Sequence, residues 1–256
     1  QEGVQEVSNG SFSQEGSEEI TNGDFENGSA NWNFQLGWTF DNGQANFENL
    51  GSSNRNLWQS PLVNGNWYKL TFEITSITSG YIRNVNSSVT DDTQFSNIGV
   101  HTQYFQAANV NLYLKASSDA NLTIDNVSVK EVGQDWTFTN WSLTTDNALL
   151  ADTGGYVYQP NVFEVGKSYK VSVNVKNYTS GNLRIDSNGS NEWTPSGSNS
   201  VATIYISNLD KTYLLLEGTF RGSITNISVK EVGQNWTLGT GWSIGDGKAV
   251  SDGSSS

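Results

Sequence analysis

The stretch Val127-Ser128-Val129-Lys130-Glu131-Val132-Gly133-Gln134 returns one hundred residues later as Ile227-Ser228-Val229-Lys230-Glu231-Val232-Gly233-Gln234. A Trp-rich segment follows each copy. Asp135-Trp136-Thr137-Phe138 leads to Trp141-Ser142-Leu143, and Asn235-Trp236-Thr237-Leu238 leads to Trp242-Ser243-Ile244. Asn31-Trp32-Asn33-Phe34, leading to Trp38-Thr39-Phe40, is an earlier version. A long internal period of this kind marks a tandem array of similar units.

The middles of the units match as well. Leu57-Trp58-Gln59 parallels Val157-Tyr158-Gln159, and Tyr68-Lys69-Leu70-Thr71-Phe72 parallels Tyr169-Lys170-Val171-Ser172-Val173. Ser79-Gly80 with Arg83 parallels Ser180-Gly181 with Arg184, and Tyr113 parallels Tyr213. The spacing predicts one unit over residues 20–134, a second over 135–234, and the opening hairpin of a third, truncated unit over 235–256. Residues 1–19 read as a connector closing a preceding unit, although Ser8-Asn9-Gly10-Ser11-Phe12 echoes Thr21-Asn22-Gly23-Asp24-Phe25.

Alternation sets the strands. Tyr68, Leu70, Phe72 and Ile74 point one way and Lys69, Thr71, Glu73 and Thr75 the other; Tyr169, Val171, Val173 and Val175 repeat the pattern. A period of two means one buried and one wet face, as in antiparallel sandwiches. Leu214 to Leu216 is apolar on both faces and belongs in a central strand. In the closing strand Leu122 and Ile124 alternate, then Val127 and Val129 do so one position out of step. The second unit breaks in the same place, and one extra residue that flips the facing reads as a β-bulge.

Composition agrees. Asn, Ser, Thr and Gly fill the gaps between runs of aromatic and β-branched residues, and no stretch holds a 3.6-residue period for three turns. Nine Trp, ten Tyr and eleven Phe argue against disorder. There is no cysteine, so disulfides, zinc-thiolate sites and thiol nucleophiles are excluded. Each unit, at about 100 residues, is long enough to hold its own core. Only 15% of residues are charged, yet 26 acidic against 13 basic gives −13. That field repels phosphate backbones and anionic lipid, so neither nucleic acid nor membrane is an expected partner. No run approaches the ~20 apolar residues of a membrane helix, and no signal peptide is visible. A start at Gln1, the absence of Met and the serine end read as a piece of a longer chain.

Asn22-Gly23-Asp24-Phe25-Glu26, the Trp-rich hairpins, the strand from Gly65 to Leu70, and Ile124-Asp125-Asn126-Val127-Ser128-Val129 resemble the galactose-binding-like jelly rolls. More closely they resemble xylan- and glucan-binding carbohydrate-binding modules. The tandem copies, with hairpins such as Trp236 to Ala249, also look like segments of bacteriophage tail-fibre and other virion surface proteins. The resemblance covers residues 20–234, and 235–250 by the hairpin alone. It implies an all-β fold of tandem antiparallel jelly-roll β-sandwiches in a rod-like array. It also implies a structural calcium in the first unit, tying first strand to last, at positions matching Asp24, Glu26 and Asp125. Hard oxygen ligands from two distant strands suit calcium; the alternative is that these are solvated turn residues. The second unit reads as lacking the opening motif and carries Thr225 in place of the aspartate, so no metal is expected there.

A glycan site needs aromatic faces for sugar rings and a few polar groups for the hydroxyls. Trp32, Trp136 and Trp236 recur in register, as do Trp38, Trp141 and Trp242, which marks them as core or hairpin staples. Aromatics without a counterpart are better candidates: Trp67 against Ser168, Tyr81 against Asn182, and Trp193 in the polar loop Asn188 to Trp193. Arg83 and Arg184, with Gln59 and Gln159, recur in a chain poor in cations. They fit a ligand face beside Trp58 or Tyr158, or ordinary strand-end pairs. His101 is the only histidine; Asp91, Asp92 and Glu192 are the carboxylates a glycosidase reading would need, and no spacing unites them. No enzyme is expected. The Asn-x-Ser/Thr sequons at Asn27, Asn121, Asn126, Asn140, Asn177 and Asn226 follow from the composition and imply no glycosylation.

These readings converge on a non-enzymatic surface protein, extracellular or on a virion, adsorbing to host-surface glycans as in a phage fibre. Repetition favours avidity. The alternatives are a structural virion component, head decoration or fibre spacer, that contacts other virion proteins, and a bacterial surface adhesin. A homo-oligomer, a trimer in a fibre, is an expectation of the resemblance, since no heptad or three-fold seam specifies one.

Overall fold

The computed structural model describes residues 1–49, 55–86, 93–144, 149–185, 191–207, 210–245 and 247–254. All regular structure in them is β-strand, and no helix is long and apolar enough to cross a membrane. The chain forms two compact units: residues 15–134, here module 1, and residues 1–14 together with 135–256, here module 2. Residues 1–19 are therefore not a connector. They carry two strands, β1 (Glu2–Gln5) and β2 (Glu15–Glu18), one for each module.

Module 1 continues with β3 (Asn33–Phe34), β4 (Trp38–Asp41), β5 (Gln44–Glu48), β6 (Arg55–Gln59), β7 (Trp67–Ser79), β8 (Ile82–Asn84), β9 (Gly99–Gln106), β10 (Leu112–Ala116) and β11 (Asn121–Val132). One antiparallel sheet runs β4-β5-β11-β7-β9, with β2 also on β11; the other runs β3-β6-β10-β8. Between them lies one core, including Phe25, Trp32, Trp38, Leu57, Tyr68, Phe72, Ile74, Leu114 and Ile124. Alternation produces it: on β7, Tyr68, Leu70, Phe72 and Ile74 are buried while Lys69, Thr71, Glu73 and Thr75 are half-exposed. Asn42-Gly43 closes the β4–β5 hairpin with φ of 52° and 68°, the left-handed pair that matches strand twist.

Module 2 contains β12 (Thr137–Leu143), β13 (Leu149–Gln159), β14 (Ser168–Ser180), β15 (Leu183–Ile185), β16 (Asn191–Trp193), β17 (Ser200–Ile206), β18 (Leu214–Gly218) and β19 (Arg221–Val232). Its strands follow the same plan, but β13 runs unbroken and joins them, with β1, into one nine-stranded sheet. Leu149–Ala151 pairs with β19, and Gly155–Gln159 pairs with β18. Module 1 divides the same path into β5 and β6. Leu214 and Leu216 face the core of module 2 from a strand flanked by β13 and β15, the central place their pattern predicts. The hairpin β20 (Trp242–Gly245) and β21 (Lys248–Ser251) ends the described chain.

The phase break in the closing strand is a bulge. Asp125 pairs with Glu73 and Ser128 with Thr71, so three steps on β11 meet two on β7. The extra residue, Asn126, takes φ 53°, a conformation asparagine tolerates better than most residues. Beyond it β11 changes one neighbour, from β5 to β2. Asn226 repeats this with φ 53° on β19.

The leading segments dock in the same way, thirteen residues apart in sequence. The Gly23 carbonyl accepts from Val127 N at 2.8 Å, and the Gly10 carbonyl accepts from Ile227 N at 2.9 Å. A Cβ on either glycine would lie 1.9 Å or 2.1 Å from a backbone oxygen, of Val127 or Ile227 respectively. Phe25 packs on Trp32 at 5.3 Å, and Phe12 on Trp136 at 5.4 Å. Glu15 bridges Lys69 and Lys130; Glu2 bridges Lys170 and Lys230. Module 2 thus has its opening motif, Ser8 to Phe12, which reaches it from ahead of module 1.

Candidate functional site

The outer face of the β3-β6-β10-β8 sheet in module 1 gathers the most ligand-like chemistry. On β6, Leu57 and Gln59 turn inward and are buried, so Asn56 and Trp58 turn outward. Cross-strand pairing adds their neighbours. Trp58 lies opposite Asn33 on one side and Tyr113 on the other; Lys115 lies between Asn56 and Arg83. Directly opposed residues share a face. The face therefore carries Asn33, Asn56, Trp58, Arg83, Tyr113 and Lys115. The Trp58 and Tyr113 rings are 6.0 Å apart, tilted by 41°, and both residues are half-buried.

Module 2 presents the corresponding face with different chemistry. Tyr156 and Tyr158 replace Asn56 and Trp58 in register, and Leu215 and Glu217 replace Tyr113 and Lys115. Position in the ladder, rather than sequence likeness, decides this, so the counterpart of Tyr113 is Leu215 and not Tyr213. Tyr213 instead packs against Tyr158 at 5.4 Å. Arg184 forms an ion pair with Glu217. A groove of about 410 Å³ is lined there by Tyr156, Arg184, Glu192 and Glu217. Where module 1 places Lys115 opposite Arg83, module 2 places Glu217 opposite Arg184.

The other sequence candidates fall elsewhere. Gln59 is buried and embraces the leading segment: its Oε1 accepts from Thr21 N at 3.3 Å and its Nε2 donates to Thr21 O at 2.7 Å. Gln159 does the same to Ser8, at 2.9 Å and 3.0 Å. Both clamp the leading segments and are turned away from the outer sheet face by strand alternation. Trp67 opens β7 and is buried, between Gln106 and Val132 in the ladder. Tyr81 is half-buried in the turn before β8, its backbone N–H and carbonyl both bonded to Ser117. Trp193 lies on the edge strand β16, opposite buried Leu183, and so shares the core-side face. Its counterpart is Phe95, which bridges Ile82 at the same place in module 1. It therefore has a partner after all.

The staple reading fits Trp32, Trp136, Trp38 and Trp141, each at most 8% exposed. The Trp32 indole donates to Asn22 O at 2.8 Å. Trp236, by contrast, is 77% exposed.

The proposed calcium ligands do not gather. Asp24 Oδ1 accepts from Glu26 N at 3.3 Å and Asp125 Oδ1 from Asn126 N at 2.6 Å. Among the described residues no group of three or more acidic or histidine side chains is placed to hold a metal. Asp91 and Asp92 lie outside the described residues. The His101 ring hydrogen-bonds Asn97 O at 2.7 Å and packs on Phe72 and Phe95, while Glu192 faces Arg184 across a strand pair of the other module.

The missed residues were Asn33, Asn56, Tyr113 and Lys115. Their only signal was the out-facing phase of β6 and β10.

No protein-family model matches the chain, and no curated protein does. Among solved structures it is similar to the N-terminal CBM22-1–CBM22-2 tandem domain of Paenibacillus barcinonensis Xyn10C, at 9% identity over 86% of this chain and 98% of that one, with a TM-score of 0.33. It is also similar to allantoicase from Saccharomyces cerevisiae, at 7% identity over 73% of this chain and 80% of that one, TM-score 0.32. A third similar chain comes from the atomic structure of Sulfolobus Turreted Icosahedral Virus, at 11% identity over 78% of this chain and 58% of that one, TM-score 0.23. At these values none of the three carries a ligand, a reaction or a partner over to this protein.

Proposed function

We propose that this protein is a non-enzymatic binding protein of an extracellular or virion surface, and that the outer face of the β3-β6-β10-β8 sheet in module 1 binds a glycan. The observation that supports it is the Trp58–Tyr113 pair on an open sheet face, flanked by Arg83, Lys115, Asn33 and Asn56. Two tilted rings offer apolar faces to a sugar. The amides and cations around them suit hydroxyls and, through charge-assisted bonds, carboxylates. Lys115, at the position that holds Glu217 in module 2, makes an acidic polysaccharide the favoured class in module 1. The Arg184–Glu217 pair in module 2 leaves its tyrosines for neutral sugars. Phage-fibre adsorption to a host is one setting for such a site.

A second reading, a structural role among virion proteins, is favoured by one feature: Trp236, ahead of the last hairpin, and Trp242, which opens it, are 77% and 40% exposed, as aromatic residues of protein contact surfaces often are.

Binding of the full chain to a glycan array tests the first reading. Saturable binding to acidic glycans, weakened at least tenfold by Trp58→Ala with little change in thermal stability, supports it. Unaltered binding in both Trp58→Ala and Lys115→Ala excludes this face, and no binding at all favours the structural reading.

A further inference from the structure

Module 2 is completed by a segment that its own stretch of sequence does not contain. The body of module 2 starts at Asp135, directly after Gln134 ends β11 and its tail, and no opening strand lies between. The slot along β19 is filled by Glu2 to Phe12, with all of module 1 intervening in the chain. The attachment is dense. Glu6 N donates to Val229 O and Ile227 N to Gly10 O, both at 2.9 Å. Gln5 Oε1 accepts from Val229 N at 2.9 Å and Gln5 Nε2 donates to Ile227 O at 3.2 Å. Gln159 clamps Ser8, Trp136 donates to the Ser8 and Asn9 carbonyls at 3.1 Å, and Phe12 is fully buried.

The segments that fill the two slots share a short motif. Gln1 to Phe12 and Gln14 to Phe25 share Gln-Glu-Gly at the start, an apolar residue before Ser or Thr, and Asn-Gly-x-Phe at the end. They make the same contacts on their two modules. The second copy is fixed to module 1 by the chain that follows it: Asn22 Nδ2 donates to the Gly28 and Ala30 carbonyls at 2.9 Å each. The first copy has no such continuity with module 2.

We propose that the slot along β19 is an interchain docking site, and that its occupant in an assembly is the Glu2–Phe12 segment of a second copy of this protein. Exchange preserves every contact above, because the incoming segment is identical to the one displaced. Only the effective concentration of the tethered segment favours the intrachain arrangement. The mode is strand addition to a sheet edge, with Phe12 as the pocket anchor.

The test uses the full chain in two forms that differ in mass by a tag, mixed at high concentration, warmed below unfolding and examined by native mass spectrometry. Mixed dimers are expected, and excess synthetic peptide of residues 1–14 should suppress them while binding at one per chain. The same peptide with Gly10→Ala should do neither, since its new Cβ meets Ile227 O. A full chain carrying Gly10→Ala, with its own segment displaced, should take up the wild-type peptide at least tenfold more tightly than the wild-type chain does. The calorimetric transition of module 1 reports that this variant is folded. Monomers alone at every concentration, or mixed dimers indifferent to the peptide, overturn the proposal.

Discussion

The Trp136 indole nitrogen donates to the Asn9 carbonyl at 3.1 Å, although the two residues lie 127 positions apart and a whole module separates them. The bond joins a module to an opening motif carried far ahead of it. Its counterpart in module 1, Trp32 to Asn22, spans ten positions. The same local chemistry is thus reached by two chain paths, and the two modules can be perturbed separately through residues that stand close together in sequence.

Phe12→Ala should destabilise module 2 alone. Phe12 is fully buried against Trp136, and truncating a buried Phe costs about 3–5 kcal/mol. Phe25→Ala, thirteen residues on, should act on module 1 by a similar amount. Differential scanning calorimetry of the full chain checks both. A Phe12→Ala chain in which the module 1 transition moves, or neither does, contradicts the assignment of residues 1–14.

Gln59→Leu and Gln159→Leu should lower stability without touching glycan binding. Each amide satisfies both backbone groups of Thr21 or Ser8. A hydrogen bond of this kind contributes about 0.5–1.5 kcal/mol net, and each variant loses two to its leading segment. Chemical denaturation with a parallel glycan titration separates the two effects. Loss of affinity at unchanged stability would return Gln59 to the ligand face.

These glutamines show what the sequence could and could not tell. Alternation, the Asn126 bulge and the Trp staples were legible because strand period and turn preference are local properties. The pairing of Glu2 with Val232 was not, because a partner so distant leaves no mark on the segment itself. The echo between Ser8–Phe12 and Thr21–Phe25 was visible, but only pairing shows which module each serves. Trp193 looked unmatched because the approach to β16 differs in length from that to Phe95. Gln59 and Gln159 looked functional because they recur, and they recur because both modules need the clamp. Tyr113 was overlooked because sequence likeness paired it with Tyr213, when the ladder pairs it with Leu215, and Lys115 because only the facing of β10 marks it.

Lys115→Glu should convert the module 1 face to the charge pattern of module 2. A carboxylate there sits opposite Arg83, as Glu217 sits opposite Arg184. Acidic glycan binding should fall at least tenfold and neutral glycan binding much less, measured by titration calorimetry at fixed salt. Equal losses for both classes would mean that Lys115 shapes the face without reading charge.

The leading strands should loosen in acid. Hydrogen bonds from Lys170 and Lys230 hold the Glu2 carboxyl below its ordinary value, and those from Lys69 and Lys130 do the same for Glu15. A depressed carboxylate contributes fully above its unfolded value, here 4.5, and the contribution fades as pH falls through the lower folded value. Hydrogen exchange at residues 2–6 and 15–19, corrected for intrinsic rates, should therefore accelerate below about pH 4, ahead of β7 and β14. Uniform acceleration across both modules would show that these carboxylates do not govern strand docking.

Asn126 offers the sharpest test of the bulge. Its φ of 53° costs most side chains about 1–2 kcal/mol, and the residue after it, Val127, donates to Gly23 O at 2.8 Å. Asn126→Ala should therefore lower the module 1 transition by that amount. Asn126→Gly should stay close to wild type, giving up only an exposed 3.2 Å bond to Glu73. Deleting Asn126 should be far worse than either. Without the extra residue, Val127 and Val129 turn to the wet face, and the N–H that receives the leading segment turns away with them. If the deletion folds with module 1 stability intact, the bulge does not set the facing of the closing strand, and the docking of Glu15–Glu18 must rest on the lysine pairs alone.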